Sequence, residues 1–178
     1  LGLSGLGYQF IAGLLHHAPE IAAITNPTVN SYKRINAPRT TSGATWSPNS
    51  VTYTGNNRTH MIRIPDDGRF EFRLPDGSTN PYLMQAAILA AGLDGIRNAR
   101  DPGKRLDINM YTHGHTVRNV KKLPLNLLDA LRALEKSTMP KASLGEDFIA
   151  AYMKLKMQEW NDYSRHLSVW ERESTLDC

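Results

Sequence analysis

The chain has 178 residues, 40% of them hydrophobic, enough to bury one core and short enough that a single domain is the default. Its 21 lysines and arginines outnumber 17 acids by a net charge of only +4, so charge alone does not mark a nucleic-acid partner. No apolar run reaches the roughly 18–20 residues that cross a bilayer, the longest, Ala86 to Leu93, being interrupted by Gly92; the lone Cys178 excludes an internal disulfide.

Residues 1–18 lack the basic stretch and cleavage site of a secretory signal and carry no initiator methionine, so the start reads as a cut and the compartment as reducing cytoplasm. Ser4 can cap a first helix in which Leu6, Phe10, Ile11, Leu14 and Leu15 recur at helical spacing, with its end expected near Ala18-Pro19. His16 and His17 then fall at the helix C-terminus, where partial negative charge favours imidazolium, in a structural role. Pro27 disfavours helix at Asn26 and suits the first turn of a short helix after it, which places Lys33 and Arg34 at that helix's end.

From Ile35 to Asn57 the composition shifts to Thr, Ser, Asn, Pro and Gly without an acid, an irregular loop of a length that is usually functional or mobile. It closes on Val51–Thr54, then Gly55-Asn56-Asn57, then Arg58–Ile64, which reads as strand, turn, strand in a hairpin. Pro65-Asp66-Asp67-Gly68 is a turn, and Arg69–Leu74 alternates charged and apolar residues without error. Asn80 can cap and Pro81 open a long apolar helix to about Ile96, expected to be buried, with Asp101-Pro102-Gly103 as its exit.

Lys104–Pro124 is polar and weakly patterned; Leu127, Leu128, Leu131 and Leu134 mark an amphipathic helix ending before Pro140. Ser143-Leu144-Gly145-Glu146 has capping-box form and opens a last long helix carrying Phe148, Ile149, Tyr152, Leu155 and Trp160 on a stripe. No internal repeat occurs. Together these elements make an α+β domain, a mostly antiparallel sheet around the Val51 to Leu74 strands with helices packed on one side.

Alternation sends Phe70, Phe72 and Leu74 to a core and leaves Arg69, Glu71 and Arg73 on the other face, spaced by about 6.6–6.8 Å. Two cations then flank one carboxylate, which suits a metal-bound polyanion, and the preceding strand adds Arg58 and Arg63 to the same region. Arginine suits the task because its planar fork matches carboxylate and phosphoryl oxygens. A phosphoryl-transfer or acyl-phosphate site follows; the bland reading is a solvated, salt-bridged edge strand.

Context favours the site. Asn26-Pro27-Thr28-x-Asn30-Ser31-Tyr32-Lys33-Arg34, Asn57-Arg58-x4-Arg63-Ile64-Pro65, Arg69-x-Glu71-x-Arg73-x-Pro75-Asp76 and Asn80-Pro81-Tyr82-Leu83 resemble glutamine synthetases, in family order, as does Ala91–Ile96. The resemblance is dense from about Leu3 to Ile96. It implies the C-terminal portion, residues 1–178, of a catalytic domain whose N-terminal β-grasp domain and upstream catalytic segment lie outside this chain.

The same resemblance implies site roles: Arg34 and Arg73, with Arg58, hold glutamate; Arg58 also contacts the transferring phosphoryl group; Arg63 and Arg69 face the ATP phosphates; and Glu71 is a ligand of Mg2+ or Mn2+. The implied reaction is ATP-dependent glutamate-ammonia ligation through γ-glutamyl phosphate, by a homo-oligomeric ring. With one metal ligand of several, the chain alone is expected to be inactive.

Family members carry a glutamate in the flap after Tyr-Lys-Arg, and this chain has no acid between Ile35 and Asn57; its loop Asn36–Pro48 resembles the divergent branch labelled type III. That leaves two alternatives: methylamine as acceptor, giving γ-glutamylmethylamide, with Trp46 lining a methyl site, or a non-catalytic interaction module. The turn at Asp66-Asp67-Gly68 is shorter than in many relatives, which leaves nucleotide specificity open. His113-Gly114-His115 reads as loop polar residues rather than a metal pair, and Tyr152, Trp160, Tyr163 and Trp170 as core or subunit-contact residues rather than a base-stacking platform.

Overall fold

The computed structural model describes residues 2–37 and 48–175. Helix α1 (Gly5–Thr25) starts as expected, with the Ser4 hydroxyl accepting from the Gly7 amide at 3.1 Å, but it runs past Pro19. Pro19 removes one intrahelical hydrogen bond and crowds the preceding turn, a loss of about 3 kcal/mol. Ile21, Ala22, Ala23 and Ile24 beyond it are all buried, and burying the two isoleucines alone contributes roughly 3–6 kcal/mol, so packing outweighs the local penalty. Helix α2 (Val29–Ile35) carries Lys33 and Arg34 in its last turn; Thr28 is its N-cap in a reciprocal capping box with Ser31, so Pro27 lies before the cap rather than in the first turn.

The sheet is small and mixed, in the order β1 (Tyr53–Thr54), β2 (Ile62–Asp66), β3 (Arg69–Phe72). β2 and β3 form the expected antiparallel hairpin, its turn closed by Gly68 at φ 71°, a left-handed conformation in which glycine carries no Cβ penalty. β1 pairs with β2 in parallel, however, so the hairpin expected from Val51 to Ile64 does not form. Arg58 consequently sits in a turn: the Asn57 side-chain oxygen accepts from both the amide and hydroxyl of Thr59, an Asx-type turn that reverses the chain before β2.

Helix α3 (Pro81–Arg97) has the expected Asn80 cap and Pro81 start. Burial is one-sided rather than complete: Ala87, Ala91, Gly92 and Gly95 are buried while Tyr82, Leu89 and Leu93 are exposed. The small residues are there because α1 and α3 touch backbone to backbone. A Cβ on Gly13 would strike the Ala91 carbonyl and Gly95, one on Gly95 would strike the Gln9 carbonyl and Gly13, and one on Gly92 would strike the Phe10 ring.

The polar stretch after α3 holds two short elements without a strong sequence pattern, α4 (Met110–His113), capped by Asn109, and a 3₁₀ turn (Gly114–Thr116). Helix α5 (Leu127–Lys136) is capped by Asn126 and buries Leu127, Leu131 and Leu134. Pro140 and Ser143 belong to a separate helix, α6 (Met139–Leu144). The expected capping box at Ser143 is therefore absent: Gly145, at φ 95°, ends α6 and begins α7 (Glu146–Arg165), whose Ile149 and Tyr152 are buried while Leu155 is exposed. A final α8 (Val169–Thr175) was not signalled and leaves Trp170 exposed. α1 is central, packing on α3 and α5, with α6 and α7 closing the layer. Among the described residues no helix is long and apolar enough to cross a membrane.

Because α1 continues to Thr25, His16 and His17 lie in its middle, not at its end. His17 is 5% exposed, with Nδ1 2.6 Å from Glu20 and Nε2 2.8 Å from Asp94 of α3. Carboxylates only accept, so both contacts are hydrogen bonds only when the ring carries both protons. Burial opposes that charge, but the hydrogen bonds to Glu20 and Asp94 prevail and raise the His17 pKa; burial likewise opposes, and His17 reverses, the titration of Glu20 and Asp94, whose pKa values are lowered. Arg100 and Ser137 complete the network, at 2.8 Å from Asp94 and 2.7 Å from Glu20.

Two stability tests follow. Gly95→Ala is expected to destabilise the protein by about 2 kcal/mol or more in urea unfolding, whereas Gly77→Ala, where an added Cβ meets nothing, stays within about 0.5 kcal/mol. For His17, a raised folded pKa means its contribution is complete below the unfolded value of 6.5 and fades as pH rises through the folded value; the lowered carboxylates lose theirs only in acid. His17→Gln should therefore cost about 1–2 kcal/mol near pH 6 and much less at pH 9.5, and an equal gap at both pH values would refute the imidazolium.

Candidate functional site

The β2–β3 register sets the site. Arg63 lies directly opposite Glu71, and its Nη1 donates to both carboxylate oxygens at 2.9 Å. Asn56, in the turn before β2, accepts from Arg63 Nε at 2.9 Å and from Nη2, so the Arg63 fork is held at both ends. Arg69 stands at the rim: its guanidinium is anchored on Asp66 at 2.5 Å and comes only to 4.0 Å from Glu71. Arg69 is well exposed and Arg63 largely buried, so the two cations that meet Glu71 do so from opposite environments.

Arg73, one residue past β3, is half-buried with its Nη1 fully buried and without a hydrogen-bond partner among the described residues. Burial is the main cause of its lowered pKa; Tyr111 and Glu71 oppose the shift, and Arg58 and Arg63 add to it. Arg34 arrives from α2, donates from Nη2 to the Leu74 carbonyl at 2.5 Å, and has a buried Nε with no hydrogen-bond partner among the described residues. Its pKa is lowered by burial first, with Asp76 opposing and Arg73 adding to the fall. Both groups remain charged at neutral pH, because guanidinium begins so far above it. Arg58 is exposed on its turn, within electrostatic reach of Arg73 and without an ion pair among the described residues.

The six residues singled out from sequence thus gather in one region: Arg34 beside Arg73, Arg58 and Arg63 around it, Glu71 between Arg63 and Arg69, and Arg69 outermost. Phe70, Phe72 and Leu74 turn to the core as alternation requires. Tyr111 was missed, because it comes from the weakly patterned segment. That segment is tied to the Arg58 turn by Asn57 and His60, which both donate to the Ile108 carbonyl at 2.9 Å, and by the Met110 amide donating to Thr59 at 3.0 Å. His60 is wholly buried; burial lowers its pKa, and the neutral ring donates from Nε2 to Ile108 and accepts at Nδ1 from Thr52. Asn109, an N-cap residue before an apolar one, was the one available signal for α4.

Glu71 offers a hard oxygen donor of the kind Mg2+ and Mn2+ prefer, one share of a coordination shell. Among the described residues, three metal-capable side chains converge only at His16, His17 and Glu20, where His17 is already held by two carboxylates. His113 and His115 are exposed on α4 and the turn after it, and no third metal-capable side chain joins them among the described residues. Trp46, with residues 38–47 of the acid-free loop, lies outside the described residues.

The family described as glutamine synthetase, catalytic domain, matches residues 1–175. The chain belongs to the glutamine synthetase family. A glutamine synthetase of Rhizobium leguminosarum bv. phaseoli is 65% identical over 176 residues, 99% of this chain and 40% of that protein. A glutamate–methylamine ligase of Methyloversatilis universalis is 48% identical over 180 residues, again 40% of its length. A solved GmaS/ADP complex superposes over the whole chain with a TM-score of 0.93 at 62% identity, and the chain covers 41% of it. The chain therefore spans about two fifths of the length of the glutamine synthetase relatives it matches.

Arg73 Nη1, without a hydrogen-bond partner among the described residues, yields a test within this family. A buried donor without an acceptor destabilises, so Arg73→Met should leave the substrate-free unfolding free energy unchanged or raise it by up to about 1 kcal/mol. Sulfate should stabilise the unaltered protein more than the variant in the same denaturation experiment. A clear loss of stability in the variant without sulfate would show that Arg73 is already satisfied internally.

Proposed function

We propose that this chain is the C-terminal, glutamate- and phosphate-binding portion of an ATP-dependent glutamate–amine ligase that works through γ-glutamyl phosphate. The observation carrying this reading is the pair of buried guanidinium nitrogens, Arg34 Nε and Arg73 Nη1, that have no hydrogen-bond partner among the described residues, next to a third and fourth arginine and one carboxylate. Anions that complete such a group stabilise it. A non-catalytic module has no physical need to keep it, which argues against that alternative.

In this reading Arg34 and Arg73, assisted by Arg58, hold the carboxylates of glutamate, and Arg58 on its exposed turn reaches the transferring phosphoryl group. Arg63 and Arg69 take the ATP phosphates. Glu71 would hold Mg2+ or Mn2+, which would supply neutralisation of phosphate charge, and its present partner Arg63 lies beside it to take phosphoryl oxygen. Positioning and charge neutralisation then supply most of the rate. One carboxylate is too few ligands for the ion, so the rest of the shell belongs to other parts of the whole protein, and these residues alone lack activity. The intact enzyme is read as a cytoplasmic homo-oligomeric ring, with the N-terminal domain preceding this portion.

Ammonia is the first reading for the acceptor, supported by the 65% identical relative named glutamine synthetase. Methylamine is the second, supported by the acid-free segment from Ile35 to Asn57 and by likeness to the glutamate–methylamine ligase. Purified full-length protein should release phosphate from ATP only with glutamate and an amine present, and Arg73→Met should lower kcat/KM for glutamate by about 10²–10³-fold. Running ammonium against methylamine decides the acceptor: preference for methylamine replaces the first reading by the second. Absence of turnover and of ATP binding would leave only the interaction module.

A further inference from the structure

The end of α1 makes an arrangement that the site residues themselves do not explain. Asn26, the C-cap residue, is completely buried, and its side-chain amide donates to the Leu74 carbonyl at 3.0 Å. Arg34 donates to that same carbonyl at 2.5 Å. A carbonyl oxygen has two lone pairs, so Leu74 is fully used by one amide and one guanidinium. The Asn26 oxygen in turn accepts from the equally buried Thr25 hydroxyl at 2.9 Å, the nearer of that hydroxyl's two acceptors, the other being the Ile21 carbonyl at 3.2 Å, and this favours the amide orientation that donates to Leu74.

Two further bonds make the same connection. The Asp76 amide donates to the Thr25 carbonyl at 3.1 Å, and the Thr79 hydroxyl donates to the Ile24 carbonyl at 2.8 Å. The end of α1 thus grips the chain from Leu74 to Thr79 directly after Arg73. Arg34 and Arg73 repel each other, and neither has an ion pair among the described residues. Without a fixed acceptor, Arg34 would swing away from Arg73 toward solvent.

We propose that Asn26 is a positioning residue: by holding the Leu74 carbonyl in place as a shared acceptor, it sets Arg34 beside Arg73 and so preorganises the pair for a dicarboxylate amino acid. This deepens the ligase reading above, since it assumes that the two arginines receive glutamate. Asn26 touches no substrate in it. Its effect falls on glutamate binding and leaves the ATP side of the site, built on Arg63 and Arg69, unaltered.

The test uses the full-length protein. Asn26→Ala is expected to raise KM for glutamate about tenfold while KM for ATP stays within about twofold, the size of one lost buried hydrogen bond. Thr25→Val, which keeps shape but frees the Asn26 amide to rotate, should raise KM for glutamate about threefold in the same direction, and carries the test if the alanine variant does not fold. A general structural defect would move both KM values together, and that result overturns the inference, as does an unchanged KM for glutamate. Crystals of the variants add a readout independent of turnover: the contact of Arg34 with Leu74 should be lost, and its retention also counts against the proposal. Unaltered protein without glutamate-dependent turnover would refute the ligase reading instead, and the crystallographic comparison still decides the role of Asn26.

Discussion

Everything in this chain is arranged around guanidinium groups brought together before any anion is present. Such like charges repel one another, and burial removes the water that would otherwise soften this. Lowered pKa values at Arg34 and Arg73 express the penalty, yet arginine cannot relieve it by losing a proton. The fold offsets it with neutral acceptors and one carboxylate: Leu74 carbonyl for Arg34, Asn56 and Glu71 for Arg63, Asp66 for Arg69. Arg73 receives none of these, so it is the member of the cluster whose free energy depends most on what binds.

Such a cluster needs a rigid base, and α1 provides it. Its middle is fastened to α3 by the glycine contact and the Glu20–His17–Asp94 network, and its end holds the segment after Arg73. The glycines let the two helix backbones approach until no side chain fits between them; the ion network sits on the same helix pair and fixes how they are rotated. Packing and site are therefore coupled through one element. A change that shifts α1 against α3 moves the Leu74 carbonyl and with it Arg34.

Local signals were legible where one residue type does one job. Ser4, Asn80 with Pro81, and the period-two alternation of Arg69 to Leu74 each specify backbone geometry without help from distant chain, and each is found as read. The grouping of Arg69, Glu71 and Arg73 was legible from the same alternation and that of Arg63 from the tight turn joining its strand to theirs, whereas Arg34 was placed by the family resemblance and Arg58 by a strand that does not form. What escaped was decided by tertiary contact. Pro19 looks like a stop, but the buried isoleucines beyond it outweigh the lost hydrogen bond; α3 looks wholly buried, but its apolar outer face is open and its contact face is made of small residues. Gly145 serves two helices at once, which a capping-box pattern at Ser143 cannot reveal.

The parallel pairing of β1 with β2 shows why a wrong local reading can still place the right residues. Parallel neighbours normally need a crossover of a dozen or more residues, and here residues 55–61 alone make the return. They manage it because the pairing is short: the Ile62 amide reaches the Thr52 carbonyl at 3.1 Å and the Ile64 amide reaches Gly55 at 3.1 Å, while the chain between folds back through the Asn57–Thr59 turn. His60, buried and bonded at both ring nitrogens, pins that return to the Ile108 strand of loop. A hairpin would have laid Arg58 flat in a ladder. The compact return instead lifts it onto an exposed turn within electrostatic reach of Arg73, where its side chain keeps the most conformational freedom.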